Sequence, residues 1–205
     1  MMQLDTLGLF ILSALSLTLL PGPDILFVLS SSIAQGWKKG ITISLGLTSG
    51  IFIHTLIVVF GVGTVLQHNP TALRLIQGIG AGYLIYLGIL QLKSVIVKTE
   101  STSSMQKKEG SSFWTGFIMN VTNPKVSLFF ISFFPGFLFH QHWSYQIQFL
   151  FLGILFFTQA LIVFSVVSLL ADRLGRKIKI IPQQNLWNGL QALVFFGIAF
   201  YLLLS

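Results

Sequence analysis

Apolar residues run through the chain in long stretches, separated by short clusters of polar and charged residues. A helix needs about 20 apolar residues to cross a bilayer core. Six stretches match that requirement: 4–33, 41–66, 71–92, 113–139, 145–170 and 186–204. The second carries no Asp, Glu, Lys or Arg along its length. The first and fourth are interrupted by proline, at Pro21-Gly22-Pro23 and at Asn123-Pro124. Six helices with short connections consume nearly every residue. The pattern therefore predicts an all-α polytopic membrane protein, a single membrane domain over 1–205, with helices 1 and 4 broken.

Composition agrees. Of 205 residues, 54% are hydrophobic and 8% are charged, whereas soluble domains run at roughly 25% charged. Too few polar side chains exist to cover a soluble surface, so a soluble enzyme, a nucleic-acid binder and a disordered chain are all excluded. The net charge of +7 is explained by its placement. Ten of the 12 basic residues fall in three connections: Lys38 and Lys39; Lys93, Lys98, Lys107 and Lys108; Arg173, Arg176, Lys177 and Lys179. The alternate connections, around His68-Asn69-Pro70 and His140-Gln141-His142, have none. Basic residues stay on the cytoplasmic side, which puts both termini outside. They serve topology and lipid headgroups, not nucleic acid. No Lys or Arg precedes Lys38, so the first stretch reads as a span and not as a cleaved leader. The absence of cysteine removes disulfides, thiolate metal sites and cysteine catalysis.

The connection 93–112 is rich in serine and in charges of both signs, the composition of a flexible cytoplasmic linker. It divides the chain into repeats over 1–92 and 113–205, with three helices each. Three is odd, so the second repeat is inverted relative to the first. In both, the first helix is broken at proline. Inverted repeats with broken helices in matching positions point to a secondary transporter with its site near the midplane.

The breaks carry the candidate chemistry. Gly22 and Asn123 are suited to cap the half-helices that follow, with Pro23 and Pro124 at their first positions. Each half-helix then presents a positive N-terminus, which favours a carboxylate. Asp24 and Lys125 stand in these first turns, and charges inside spans are expensive and usually paired or functional. They are expected to meet the ammonium and carboxylate of a zwitterion, or to form a static ion pair. The candidate substrate site is thus Pro21, Gly22, Pro23, Asp24, Asn123, Pro124 and Lys125.

His54 shares a helix face with Gly46 and Gly50. Together with Asp24 it is a candidate for proton coupling, since histidine titrates near neutrality. It equally suits a packed histidine bonded to a neighbouring carbonyl. Ser30, Tyr83 and Gln159 are candidate cavity-lining residues, Ser30 alternatively bonding back to its own helix. Gly46-x-x-x-Gly50 and Gly78-x-x-x-Gly82 are expected to let helices approach closely. Trp37, Trp114, Trp143 and Trp187 stand at helix ends as interfacial anchors. No paired carboxylates, Ser/His/Asp set or His-rich cluster lies in the spans, so neither catalysis nor a cofactor or metal site is expected.

These residues carry a resemblance. Leu20-Pro21-Gly22-Pro23-Asp24 resembles the Pro-Gly-Pro signature in helix one of the LysE/RhtB family of amino-acid exporters. Gly46, Gly50 and His54 resemble its glycine-then-histidine pattern, and Gly78 to Gly88 (GIGAGYLIYLG) its Gly-x-x-Tyr-Leu-x-x-Leu-Gly stretch. Asn120-Val121-Thr122-Asn123-Pro124-Lys125 resembles its Asn-Pro-Lys motif, with Phe134-Pro135 at the family's spacing. The resemblance implies a six-helix carrier in the bacterial inner membrane, a homodimer, exporting amino acids by proton antiport. Two positions depart from it. Gly136 stands where the family commonly has Gln, and Gln159 where members often carry an acid. The second departure favours a neutral amino acid, such as threonine, homoserine or a leucine-like one, over lysine or arginine. Export of a metal ion or another small metabolite is the alternative, although no Cys and a single buried acid make a thin ligand set. A membrane-embedded enzyme fits less well.

Overall fold

The computed structural model describes residues 4–19, 22–69, 71–96, 112–174 and 184–204, with backbone alone at Leu4, Ser94, Ile96, Pro124, Lys125, Leu174, 184–188 and 191. Nine α-helices account for nearly all of these residues. The first stretch forms α1 (Leu4–Leu19) and α2 (Pro23–Gln35). The second is α3 (Trp37–Ile57), a π-helical turn (Val58–Val62) and α4 (Gly63–His68), running on as one 32-residue unit from Trp37 to His68. Then come α5 (Ala72–Ile96), α6 (Ser112–Val121) and α7 (Pro124–Phe133), the last extended by a 3-10 turn, Phe134–Phe137. The chain closes with α8 (Tyr145–Leu174) and α9 (Gln184–Leu204).

Both expected breaks are present. Proline has no amide hydrogen and disfavours helix in the residue before it, so Pro23 and Pro124 each restart a helix. The two pieces of each broken stretch meet at 56° and 55° respectively. Three helices are long and apolar enough to cross a bilayer, Trp37–His68, Ala72–Lys93 and Tyr145–Arg173, and the two bent pairs raise the count to as many as five. The apolar part described for α9, Ala192–Leu204, is shorter than a span.

Some boundaries differ from expectation. Lys38 and Lys39 do not lie in a connection but in the first turn of α3. Only Gly36 separates α2 from α3, at φ 88°, a conformation that costs glycine little and other residues more. Its amide closes α2 by donating to the Ser32 carbonyl at 2.9 Å. Helix α5 continues to Ile96, so the start of the expected 93–112 linker is helical, while 97–111 lie outside the described residues.

Helix α3 is central, packing on α2, α6 and α8, while α5 packs on α9 and α7. Glycine sets the closest of these approaches. A Cβ at Gly46 would strike the backbone of Phe113 and Phe117, and one at Gly116 the backbone of Ile43 and Leu47. The expected role of Gly46 and Gly50 in close packing therefore holds. That of Gly78 and Gly82 does not, because nothing described lies within 4 Å of a Cβ at either. Helix α5 meets its neighbours instead through Gly80, beside Ser132, and Gly88, beside Phe196.

The core is aromatic. Phe10 of α1 packs on Phe133 and Phe137 at ring-centroid distances of 5.5 Å each, and Phe129 stacks on Phe133 at 4.4 Å. At one end of the bundle Gln148 is fully buried and holds the 138–144 segment. Its side-chain oxygen accepts from the amides of Phe139 and His140, and its amide donates to the carbonyls of His140 and Trp143, all at 2.8–3.0 Å.

Candidate functional site

The two breaks meet at one cavity. Gly22 stands at the head of α2 with its carbonyl accepting from the Leu26 amide at 3.1 Å. Asn123 does the same for α7, accepting from the amides of Val126 and Ser127 at 3.1 and 3.2 Å. Gly22, Pro23, Asp24 and Asn123 all line a cavity of about 110 Å³. At about 30 Å³ per liquid water this is room for roughly four waters. The remaining wall is largely apolar: Ile51 from α3, Leu87 from α5, Val126, Phe129 and Phe130 from α7, Phe156, Ala160 and Phe164 from α8, and Phe195 from α9. Polar groups on the wall come from Thr18, Asp24, Asn120 and Asn123. A small set of polar groups in an apolar pocket fixes the orientation of a ligand.

Of the expected site residues, Gly22, Pro23, Asp24 and Asn123 are thus brought together. Pro21 lies outside the described residues, as do the side chains of Pro124 and Lys125, whose backbones form the first turn of α7. Ser30, Tyr83 and Gln159 are not on the wall. Ser30 donates back to the Phe27 carbonyl at 3.2 Å. Tyr83 packs near Tyr86, ring centroids 6.4 Å apart. Gln159 lies one layer behind, its amide donating at 2.8 Å to the hydroxyl of Thr18, a residue that does line the cavity.

His54 also lies behind the wall. It is 1% exposed, its ring 5.6 Å from that of Phe130. Its Nε2 is 3.1 Å from the Asn120 carbonyl oxygen, and its Nδ1 is 3.3 Å from Ser127 Oγ. A carbonyl only accepts, so Nε2 carries the proton and donates.

Two wall residues escaped the sequence reading. Asn120, in the last turn of α6, is 4% exposed, and its Oδ1 is buried with no hydrogen-bond partner among the described residues. Gly50 makes room for it, since a Cβ there would press on the Asn120 side chain. Thr18 is 8% exposed and donates to the Ala14 carbonyl at 2.8 Å. A polar residue within an apolar span, close to a break, is the signal that could have singled out both.

Known proteins resemble this chain over most of its length. The LysE type translocator family matches residues 15–205. A leucine efflux protein of Enterobacter sp. (strain 638) is 31% identical over 196 residues, 93% of this chain and 91% of that protein. A homoserine/homoserine lactone efflux protein of Salmonella typhimurium is 29% identical over 170 residues, 83% and 82% of the two chains. An uncharacterized membrane protein of Vibrio cholerae is 30% identical over 190 residues, 92% and 91%. No solved structure matches. With a family match across nearly its whole length, the chain belongs to the LysE type translocators.

Proposed function

We propose that this translocator is a secondary carrier that exports a small neutral amino acid, homoserine-, threonine- or leucine-like, from the bacterial cytoplasm by proton antiport. The observation that carries the reading is the single cavity shared by both helix breaks, with Asp24 on its wall. The substrate ammonium meets Asp24. Its carboxylate meets the N-terminus of α7 and Lys125. The apolar wall of Phe129, Phe130 and Phe156 takes the side chain. The named activities of the two efflux relatives support this substrate class. His54 and Asp24 are the groups assigned to proton coupling.

The architecture goes with it: six spans as two inverted repeats, 1–92 and 113–205, both termini outside the inner membrane, assembled as a homodimer. Part of the helix packing follows a two-fold relation between the repeats, although the α2–α3 and α5–α7 packing has no counterpart of like extent between α7 and α8 or between α2 and α9. If α1, α2, α3–α4 and α5 exchange with α6, α7, α8 and α9, then the α3–α6 contact exchanges with α8–α1, and α2–α8 with α7–α3. The pairs α3–α8 and α5–α9 map onto themselves, and all six contacts are present.

The test is efflux from proteoliposomes loaded with mixed amino acids under an imposed proton gradient. Gradient-dependent release of a neutral amino acid, abolished in Asp24→Asn, is the expected result. Release of none, from folded and inserted protein, would overturn the reading and turn attention to metal ions or other metabolites.

A further inference from the structure

His54 joins the two sides of the second helix break. Its Nε2–H donates to the carbonyl of Asn120, at the end of α6. That carbonyl also accepts from the Asn123 amide at 3.0 Å, closing the turn between the helices. On its other side Nδ1 faces Ser127, in α7. The Ser127 hydroxyl has one proton and two acceptors within reach: His54 Nδ1 at 3.3 Å and the Asn123 carbonyl oxygen at 3.4 Å. Asn120 and Asn123 both line the cavity, while His54 does not.

We propose that His54 and Ser127 form a clamp on this break, in which the direction of the Ser127 hydroxyl reports the protonation of His54 to the cavity wall. This rests on the proton-coupled reading above and names its positioning residue. In neutral His54, Nδ1 offers a lone pair, and Ser127 donates to it. When a proton from water bonds to Nδ1, the lone pair is gone. Nδ1–H then donates to Ser127 Oγ, and the hydroxyl turns to donate to the Asn123 carbonyl. The bond from Nε2–H to Asn120 becomes charge-assisted and stronger. Both edges of the break are drawn on at once. By reciprocity of binding free energies, a substrate held at that wall changes the proton affinity of His54. Antiport needs that coupling. The charged groups on the helices around α3 are Asp24 on α2, across the cavity wall, Lys125 in the first turn of α7, and Asp172 and Arg173 in the last turn of α8. The hydrogen-bond partners of the His54 ring among the described residues are Asn120 and Ser127.

The test measures leucine and homoserine efflux against pH for wild type, Ser127→Ala, Ser127→Thr and His54→Gln. Ser127→Ala removes the stronger, charge-assisted bond of the protonated ring as well as the weaker bond of the neutral one. Its pH profile is expected to move about one pH unit toward acid. Ser127→Thr restores the wild-type profile, and His54→Gln flattens it. A Ser127→Ala profile that superimposes on wild type overturns the clamp. Wild-type protein that exports neither of these, nor any other amino acid from a mixed load, overturns the proposed function instead. The clamp is then read by ¹⁵N NMR of His54 in nanodiscs. Wild type is expected to show a neutral ring protonated at Nε2, with Nδ1 accepting a hydrogen bond that Ser127→Ala removes. An Nδ1 signal unchanged by that substitution overturns the clamp independently of transport.

Discussion

The side-chain amide of Gln159 donates to the Thr18 hydroxyl at 2.8 Å, tying α8 to α1 directly behind the cavity. The same Gln159 buries its carbonyl oxygen with no hydrogen-bond partner among the described residues. Gain and cost sit on one side chain. A net hydrogen bond is worth about 1 kcal/mol, and a buried unsatisfied acceptor costs about 1–3. Gln159→Leu removes both together. It is expected to leave the thermal midpoint in detergent unchanged or slightly raised. A fall of more than about 5 °C would mean that the Thr18 bond outweighs the orphaned oxygen.

Glycine substitutions should separate cleanly. At Gly46 an added methyl meets the backbone of α6, with Phe113 C at 2.8 Å and Phe117 N at 2.9 Å. Backbone cannot rotate away, so the helices must separate. Gly46→Ala is expected to cost about 1–3 kcal/mol and to lower the yield of folded protein. Gly78→Ala and Gly82→Ala meet open space and should gain roughly 0.5–1 kcal/mol from the better helix former. Thermal unfolding of the three variants side by side checks the contrast.

That contrast also marks where sequence reading stopped. The apolar runs and the proline breaks were legible because bilayer thickness fixes run length and proline lacks an amide hydrogen. Which face of a run meets a neighbour was not. Exposed Leu75 and Ile79 are as apolar as the buried Leu84, so no hydrophobic stripe reports the rotation of α5. Gly78 and Gly80 are two residues apart, hence on nearly opposite helix faces, and Gly80 is the one that packs. For the same reason the ring cluster of Phe10, Phe129, Phe133 and Phe137 was invisible, although its residues are ordinary members of apolar runs. Gly22, Pro23, Asp24 and Asn123 could be picked out because breaks and buried charge have few structural uses. Asn120 and Thr18 lie on continuous helix, where a polar residue can also serve packing.

Gln148 should behave as a structural bolt. Four backbone groups of the 138–144 segment bond to its one side chain. Gln148→Ala leaves them to water or to nothing. A loss of about 2 kcal/mol is expected, with faster amide exchange at Phe139 and His140. Exchange at those two amides as slow as in wild type would show that the segment holds itself.

Asn120 offers a test that splits binding from stability. Its backbone carbonyl anchors His54, whereas its side chain stands on the cavity wall with an orphaned oxygen. Asn120→Ala keeps the carbonyl and removes the amide. The Nε2 bond of His54 to that carbonyl therefore survives, while the polar side chain beside the His54 ring is lost together with its buried oxygen, so stability should change by less than about 1 kcal/mol. The wall, however, loses one of its few polar groups and gains empty volume. A substrate that used the amide loses a bond to it in the cavity, which predicts about a tenfold rise in KM for efflux with little change in maximal rate. An unaltered KM would place the amide outside the substrate's reach. A larger fall in stability would mean that the side chain packs against Gly50 more tightly than its unsatisfied oxygen costs.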